Sequence, residues 1–273
     1  MPKRLLGLLL VLPALAVILL LFVVPLATSL VGAFEVGDGY GFGNFTKSFE
    51  LYTSDIIFTV VIVSLSTAII GVFATAIGGY LVLGENPRAV AILRWLYRWP
   101  LFIPFIVVGQ ILRTFLAKNG LMNNVLIEIG LITPLQAVSF LDWRGIVIAF
   151  VWKQTPFVAM LVSGAMAAVD RSTIEAARNL GASRLRILVE ILAPQVATTL
   201  VVGLVLSFVT MMSVLSVPLM INAQSPTMIT ADIAFRINAY GDYGVANALG
   251  LISLFASACV GWFYLRQTMR ERS

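Results

Sequence analysis

Lys153 stands inside an otherwise uncharged stretch, residues 145–169, in a chain that has no histidine and one cysteine, Cys259. That inventory decides which chemistry is open. His-based metal sites and Ser/His/Asp or Cys/His catalysis are excluded, and a lone cysteine cannot build a disulfide framework. No apolar run contains a Glu-x-x-His or Asp-x-x-Asp pair, and no GxxxxGK[ST] loop offers backbone amides to nucleotide phosphates. The sequence therefore assigns no catalytic residue, no metal ligand and no cofactor to this chain. A charged side chain among apolar neighbours is what remains to be explained. A charge at the centre of a bilayer costs at least about 2.5–3.5 kcal/mol unless it is paired, hydrated or able to snorkel. Lys153 thus either lines an aqueous pathway or reaches the nearby membrane edge at Gly145. Gln110, close to Arg113 in another apolar run, either lines the same pathway or makes an interhelical hydrogen bond worth about 0.6 kcal/mol. Met211 and Met212, among Thr210, Ser213 and Ser216, either form a flexible gate or fill gaps between helices.

The elements that position these residues follow from composition. Of the 273 residues 60% are hydrophobic and 11% charged, against about 45–50% and about 25% in soluble domains. Such a chain cannot coat a globule in water, and about 20 consecutive apolar residues already span a bilayer. The uncharged runs predict spans over residues 5–34, 56–83, 93–116, 145–168, 195–221 and 243–265. The fold class is all-α: one polytopic membrane domain, residues 1–273, of about six transmembrane helices. Strands of a barrel would be shorter and would alternate with period two. The third span is extended back to Leu93 so that Arg94 and Arg98 can snorkel. Asn222, Gln224, Ser225 and Pro226 signal the loop that ends the fifth. The first run is far longer than the 7–15 residues of a signal-peptide core, which makes it an uncleaved anchor.

Charge sets the orientation. With the N-terminus inside, Lys3, Arg4, Arg88, Arg94, Arg98, Arg171, Arg178, Arg184, Arg186, Arg266, Arg270 and Arg272 all fall on the inner side, most of the 18 basic residues. Both termini are then cytoplasmic, and the net charge of +5 reports topology and contact with membrane lipid, not nucleic acid. On the outer side, residues 225–244 carry Asp232, Arg236 and Asp242 among apolar neighbours. They read either as a short helix across the outer mouth that meets a soluble partner, or as a solvated loop with an Asp232–Arg236 pair at i, i+4.

The longest inner loop, residues 170–194, reads as two short helices. Ser172 and Glu175 have capping-box spacing, Ile174, Ala177 and Leu180 recur at helical spacing, and Gly181 supplies a left-handed stop. Ser183 starts the second helix, with Leu185, Leu188, Val189 and Leu192 as its apolar stripe, and Pro194 ends or kinks it. Ala176 and Ala177 expose little bulk, so the first helix suits either a groove on another protein or the membrane interface.

The run EAARNLGASRLRILVEILAP resembles the EAA loop of permease subunits in binding-protein-dependent ABC importers of type I. Glu175, Ala176, Ala177, Gly181, Ile191 and Pro194 match in register, and Ala193 replaces the usual leucine. The resemblance implies that Glu175, Ala176, Ala177 and Gly181 belong to a coupling helix seated on an ATPase. It implies as partners two ABC ATPase subunits, which use the ATP and Mg, a second permease forming a heterodimer, and an extracytoplasmic solute-binding protein met by Asp232, Arg236 and Asp242. The location implied is the bacterial inner membrane. The nearest branch is the polyamine type, with sugars, phosphonates, iron and amino-acid derivatives as other solute classes. A carrier driven by an ion gradient is the competing reading, and a membrane enzyme a more distant one. A carrier should show internal repeats, which the sequence lacks.

Overall fold

The computed structural model describes residues 3–222 and 224–270; Arg272 and the side chains of Lys3, Arg4 and Arg270, counted above among the inner cations, lie outside the described residues. Helix α1 (Lys3–Ile18) continues through a π-helical turn, Leu19–Val23, into α2 (Val24–Phe34). A hairpin pairs Glu35–Val36 with Gly39–Tyr40 and turns at Gly37, whose φ of +59° suits glycine. Then come α3 (Gly43–Leu83), α4 (Pro87–Leu96), a 3₁₀ turn at Trp99–Phe102, α5 (Phe105–Leu116), α6 (Leu121–Glu128) and α7 (Trp143–Ala167). The inner loop forms α8 (Arg171–Asn179), α9 (Arg184–Ile187), a π turn over Leu188–Leu192 and α10 (Ala193–Gln195). The rest is α11 (Ala197–Met212), α12 (Ser216–Ile221), α13 (Ile229–Phe235), a π turn over Arg236–Tyr240 and α14 (Tyr243–Arg270).

Among the described residues, four helical stretches are long and apolar enough to cross a membrane: Val11–Phe34, Gly43–Leu83, Trp143–Ala167 and Tyr243–Trp262. Two bent pairs, Pro87–Phe102 with Phe105–Glu128 at 107° and Arg184–Gln195 with Ala197–Met212 at 75°, make the number six if each pair is one span. The expected third span, 93–116, is therefore not one straight rod. Pro104 lacks an amide hydrogen, and a residue before proline is driven to extended backbone; Ile103, with ψ of 120°, is where the chain turns. The fifth span, 195–221, is also interrupted: α11 stops at Met212 and a new short helix begins at Ser216.

Helix α3 begins well before the expected 56–83. Its 41 residues make a rod of about 60 Å, twice the hydrocarbon thickness of about 30 Å, so the polar residues ahead of Ile56 continue as helix beyond the apolar part. Asp55 is thus a helical residue. It is buried, accepting hydrogen bonds from the Thr227 amide at 2.6 Å and the Ser225 hydroxyl at 3.3 Å, while the Thr59 hydroxyl accepts from the Ile229 amide at 2.9 Å.

The chain divides into two compact units, one holding residues up to Thr53 with Asp232–Phe255, the other Ser54–Ala231 with the chain from Ala256 onward. In the first, Asn44 donates to the carbonyls of Ala33 and Glu35 at 3.2 and 2.7 Å. A Cβ on Gly244 would lie 2.6 Å from the Asn44 amide, so a larger residue there would displace Asn44 from these two carbonyls. In the second, α5, α7, α11 and α12 enclose a core that includes Val108, Leu112, Phe150, Val158, Met211 and Val217. Gly109 and Gly203 bring helices close, since a Cβ there would sit 3.0 Å from Met220 and 3.2 Å from Val158.

Candidate functional site

Helix α8 starts two residues earlier than capping-box spacing suggests. Asp170, not Ser172, is the N-cap, its carboxylate accepting from the Ser172 amide at 3.0 Å. That amide, and then the Ser172 hydroxyl, hold the Asp170 carboxyl below its usual range. Asp170 competes successfully because a carboxylate at the positive end of the helix is a stronger cap than a hydroxyl, and Glu175 is left exposed within the helix. The C-terminus follows expectation in detail. Gly181 has φ of +82°, its amide bonds the Arg178 carbonyl at 2.9 Å, and the Ala182 amide bonds the Ala177 carbonyl at 3.0 Å. Together these bonds are a Schellman stop.

Which face of α8 is free differs from the sequence reading. Ile174 and Ala177 are buried in this chain's own core alongside Ile187 and Leu192. Ala176 is exposed and Leu180 is 89% exposed. The stripe on the second helix is also corrected: Leu185 and Val189 point outward at 70% and 58% exposure, and Ile187 with Leu192 points in. The π turn over Leu188–Leu192 adds a residue to one helical turn and so rotates the side chains after it. The loop is anchored from below by Arg178, which donates to the Leu83 carbonyl at 3.3 Å, and by an Arg184–Glu85 ion pair. Neither contact was visible in the sequence, although Glu85 just beyond a span and an arginine after Gly181 were the available signals. The result is a braced knob with an apolar tip of Ala176, Leu180 and Leu185.

Inside the membrane part, Lys153 is half-buried and its ammonium is engaged by backbone. Its ammonium donates to the carbonyls of Pro100 at 2.7 Å and Leu101 at 3.0 Å and lies 5.5 Å from the Phe105 ring. These carbonyls belong to the 3₁₀ turn before the break; that of Pro100 also accepts from the Ile103 amide at 3.3 Å, which leaves a second lone pair for the lysine. Arg113 does the same for α12, donating to the Met220 carbonyl at 3.1 Å. With Arg178 on Leu83, three cations each cover the carbonyl end of another helix, the end at which positive charge is favoured. Gln110 is exposed on α5, on a face shared with Thr114, whose hydroxyl donates to the Gln110 carbonyl. Met211 and Met212 are 0% and 3% exposed, so packing, not an open gate, is their place in this structure. The structure does not gather Gln110, Lys153 and the methionines around one opening.

Of the outer residues, Asp232 is buried, which removes it from any contact surface in this structure. Arg236 donates to the Tyr52 hydroxyl at 2.5 Å and lies about 5 Å from the Tyr52 and Tyr240 rings. Asp242 receives Lys47 at 2.7 Å and Arg236 at 3.5 Å and accepts from the Val245 amide at the start of α14. Burial pushes its carboxyl up, but Lys47, the Val245 amide and Arg236 outweigh this and hold it below the usual range. This cluster braces the outer segment through Lys47 and Tyr52, which the sequence reading had not connected to it.

Comparison with known proteins agrees with this architecture. Residues 69–272 match the family described as binding-protein-dependent transport system inner membrane component. The sulfoquinovosyl glycerol transport system permease protein SmoG of Agrobacterium fabrum is 27% identical, over 96% of this chain and 90% of that protein. The spermidine/putrescine transport system permease protein PotB of Escherichia coli is 29% identical over 64% of this chain and 66% of its own length. In fold, the chain superposes on a bacterial alginate ABC transporter, solved in complex with an alginate pentasaccharide-bound periplasmic protein, with a TM-score of 0.83, 21% identity and coverage of 98% and 95%. The braced inner-loop helix, the run of apolar helices and the family match across three-quarters of the sequence lead to one assignment: the chain belongs to the binding-protein-dependent transport system inner membrane components and is a permease of the type I ABC importers.

Proposed function

We propose that this chain forms half of a solute pathway and receives ATP-driven motion through α8. It works with two ATPase subunits that bind ATP and Mg, a second permease in a heterodimer and an extracytoplasmic binding protein, and both its termini face the cytoplasm. The observation that carries the reading is the knob: Leu180 and Leu185 stand out from a helix whose other face, cap and stop are all committed to this chain. Its base is fixed and its apolar tip has no cover, which suits a groove on a soluble subunit.

The composition of the core-forming helices bears on the solute class. A polyamine would need carboxylates along its route, and α5, α7, α11 and α12 contain no Asp or Glu, while α5 carries Gln110 and Arg113. We therefore place a polyhydroxylated or anionic solute, of the class named for SmoG, ahead of a polyamine as named for PotB.

The test separates docking from folding. Leu180→Asp changes an exposed tip, so the chain inserts and keeps its thermal stability, while the ATPase no longer co-purifies and uptake is lost. Ala177→Asp instead drives a charge into the core, at a cost of several kcal/mol, and lowers stability as well. Undiminished ATPase association and uptake by Leu180→Asp would refute the docking surface.

A further inference from the structure

We propose that the cytoplasmic side of this chain holds a site for one anionic phospholipid, with the phosphate among arginines of α4 and α8 and an acyl chain along α4 and α7. The cytoplasmic placement rests on the reading of α8 above. A cavity of about 380 Å³ opens between α8 and the ends of α3 and α7, and its walls include Arg94, Arg171, Arg178 and a single acid, Glu175. A second cavity of about 350 Å³ shares Leu81, Val82, Arg94 and Ala167 with the first and adds Arg98. Arg94 lines both cavities, with Arg171 and Arg178 in the first and Arg98 in the second, against one carboxylate; among the described residues none of the four makes an ion pair, while Arg178 donates to the Leu83 carbonyl and Arg98 to the Tyr97 hydroxyl. This excess of positive charge favours an anion, and the planar fork of arginine matches phosphate oxygens two at a time.

The form of the space selects a lipid over a free ion. Tyr97 lines both the second cavity and an apolar groove of about 510 Å³ walled by Phe73, Ile77, Leu96, Val151 and Trp152, so head site and tail groove meet at one residue. Nearby, Trp95 of α4 packs edge-on against Trp99 of the following 3₁₀ turn at 4.7 Å and both are exposed, which is how indoles sit at headgroup level. Basic pockets between helices on the cytoplasmic side are where anionic headgroups bind. Gly164 faces the cavity with no atom within 4 Å of a Cβ built on it, leaving room where a side chain would otherwise stand. A bound phosphate would bridge α4, on the membrane face, to α8, the knob, and so tie the knob's position to the bilayer.

The full chain, purified with the subunits that accompany it from membranes containing phosphatidylglycerol and phosphatidylethanolamine, is examined by native mass spectrometry and lipid extraction. Wild type should retain phosphatidylglycerol through delipidating washes. Arg94→Gln with Arg98→Gln, which removes charge, and Gly164→Leu, which fills the space and leaves the charge, should each weaken retention by about tenfold or more. Inorganic phosphate should not displace the lipid. Equal retention by the variants, retention of phosphatidylethanolamine in its place, failure of wild type to retain either, or displacement by phosphate would overturn the proposal. The readout needs no nucleotide and no ATPase, so a chain that binds the lipid but brings down no ATPase counts against the coupling reading alone.

Discussion

Lys153→Met is the most informative single change in the membrane part. In the wild type one ammonium serves two carbonyls, those of Pro100 and Leu101. Methionine keeps the length and apolar stem of the side chain and removes the donor. The Pro100 carbonyl keeps the Ile103 amide, so the Leu101 carbonyl is the acceptor left without a partner, at about 1–3 kcal/mol, and part of this is returned because a charge no longer has to be desolvated. The net loss is about 1–2 kcal/mol, which at about 2–4 °C per kcal/mol for a chain of this size lowers the midpoint of thermal unfolding by about 2–8 °C. Arginine can present two donors to the same carbonyls, so Lys153→Arg should recover most of the loss. The assay is thermal unfolding in detergent for the three proteins, with solute uptake in vesicles measured alongside. If Lys153→Met unfolds with wild-type stability but has lost uptake, the side chain acts on the solute and the capping argument is wrong.

Three further outcomes are expected. Gly181→Val places a β-branched residue at φ +82°, a strained position, so the Schellman stop opens and ATP hydrolysis should continue with reduced uptake; tight coupling in this variant would contradict the role of the stop. In a background with the exposed Cys259 replaced by serine, Gln110→Cys should react with small polar thiol reagents while Met211→Cys and Met212→Cys should not, and reactive methionine-site cysteines would restore them as a gate. Because the folded Asp242 carboxyl lies below the usual range, its contribution is complete above about pH 3.9 and is lost as pH falls through the depressed value. Wild type and Asp242→Asn should therefore differ in thermal midpoint at neutral pH and converge in strong acid; a constant gap would show that Lys47 and Arg236 do not act through that charge.

The straight spans were legible because a bilayer imposes a simple rule on composition, and the runs at 56–83, 145–168 and 243–265 obey it. The broken ones were not. An uncharged stretch looks the same whether it continues or turns by 107°, and Pro104 was one proline among several tolerated within helices, as Pro156 is in α7. Gly181 was readable from sequence because its requirement is local, a left-handed residue after a helical run. The partner of Lys153 was not, because it is a backbone carbonyl some fifty residues away, and any residue type carries such a carbonyl. The buried face of α8 was half-legible: the spacing of Ile174 and Ala177 gives a stripe, but not whether the stripe meets this chain or another. Residue type gave no hint that Leu180, as large and apolar as Ile174, would be the one left outside.

Lys153, Arg113 and Arg178 share a property that ion pairs lack. A side-chain pair such as Arg184 and Glu85 can exchange its charges or lose both together, so its two positions leave a correlated trace as sequences diverge. A cation held by a carbonyl has a partner that no substitution can alter. At Pro100, Leu101, Met220 and Leu83 any residue that keeps the backbone path would serve, so change at these positions should be free of change at the cations. Contact inference from paired substitutions would therefore be blind to the interactions that close these helix ends, and they would be recovered only from the one-sided restriction of three positions to lysine or arginine.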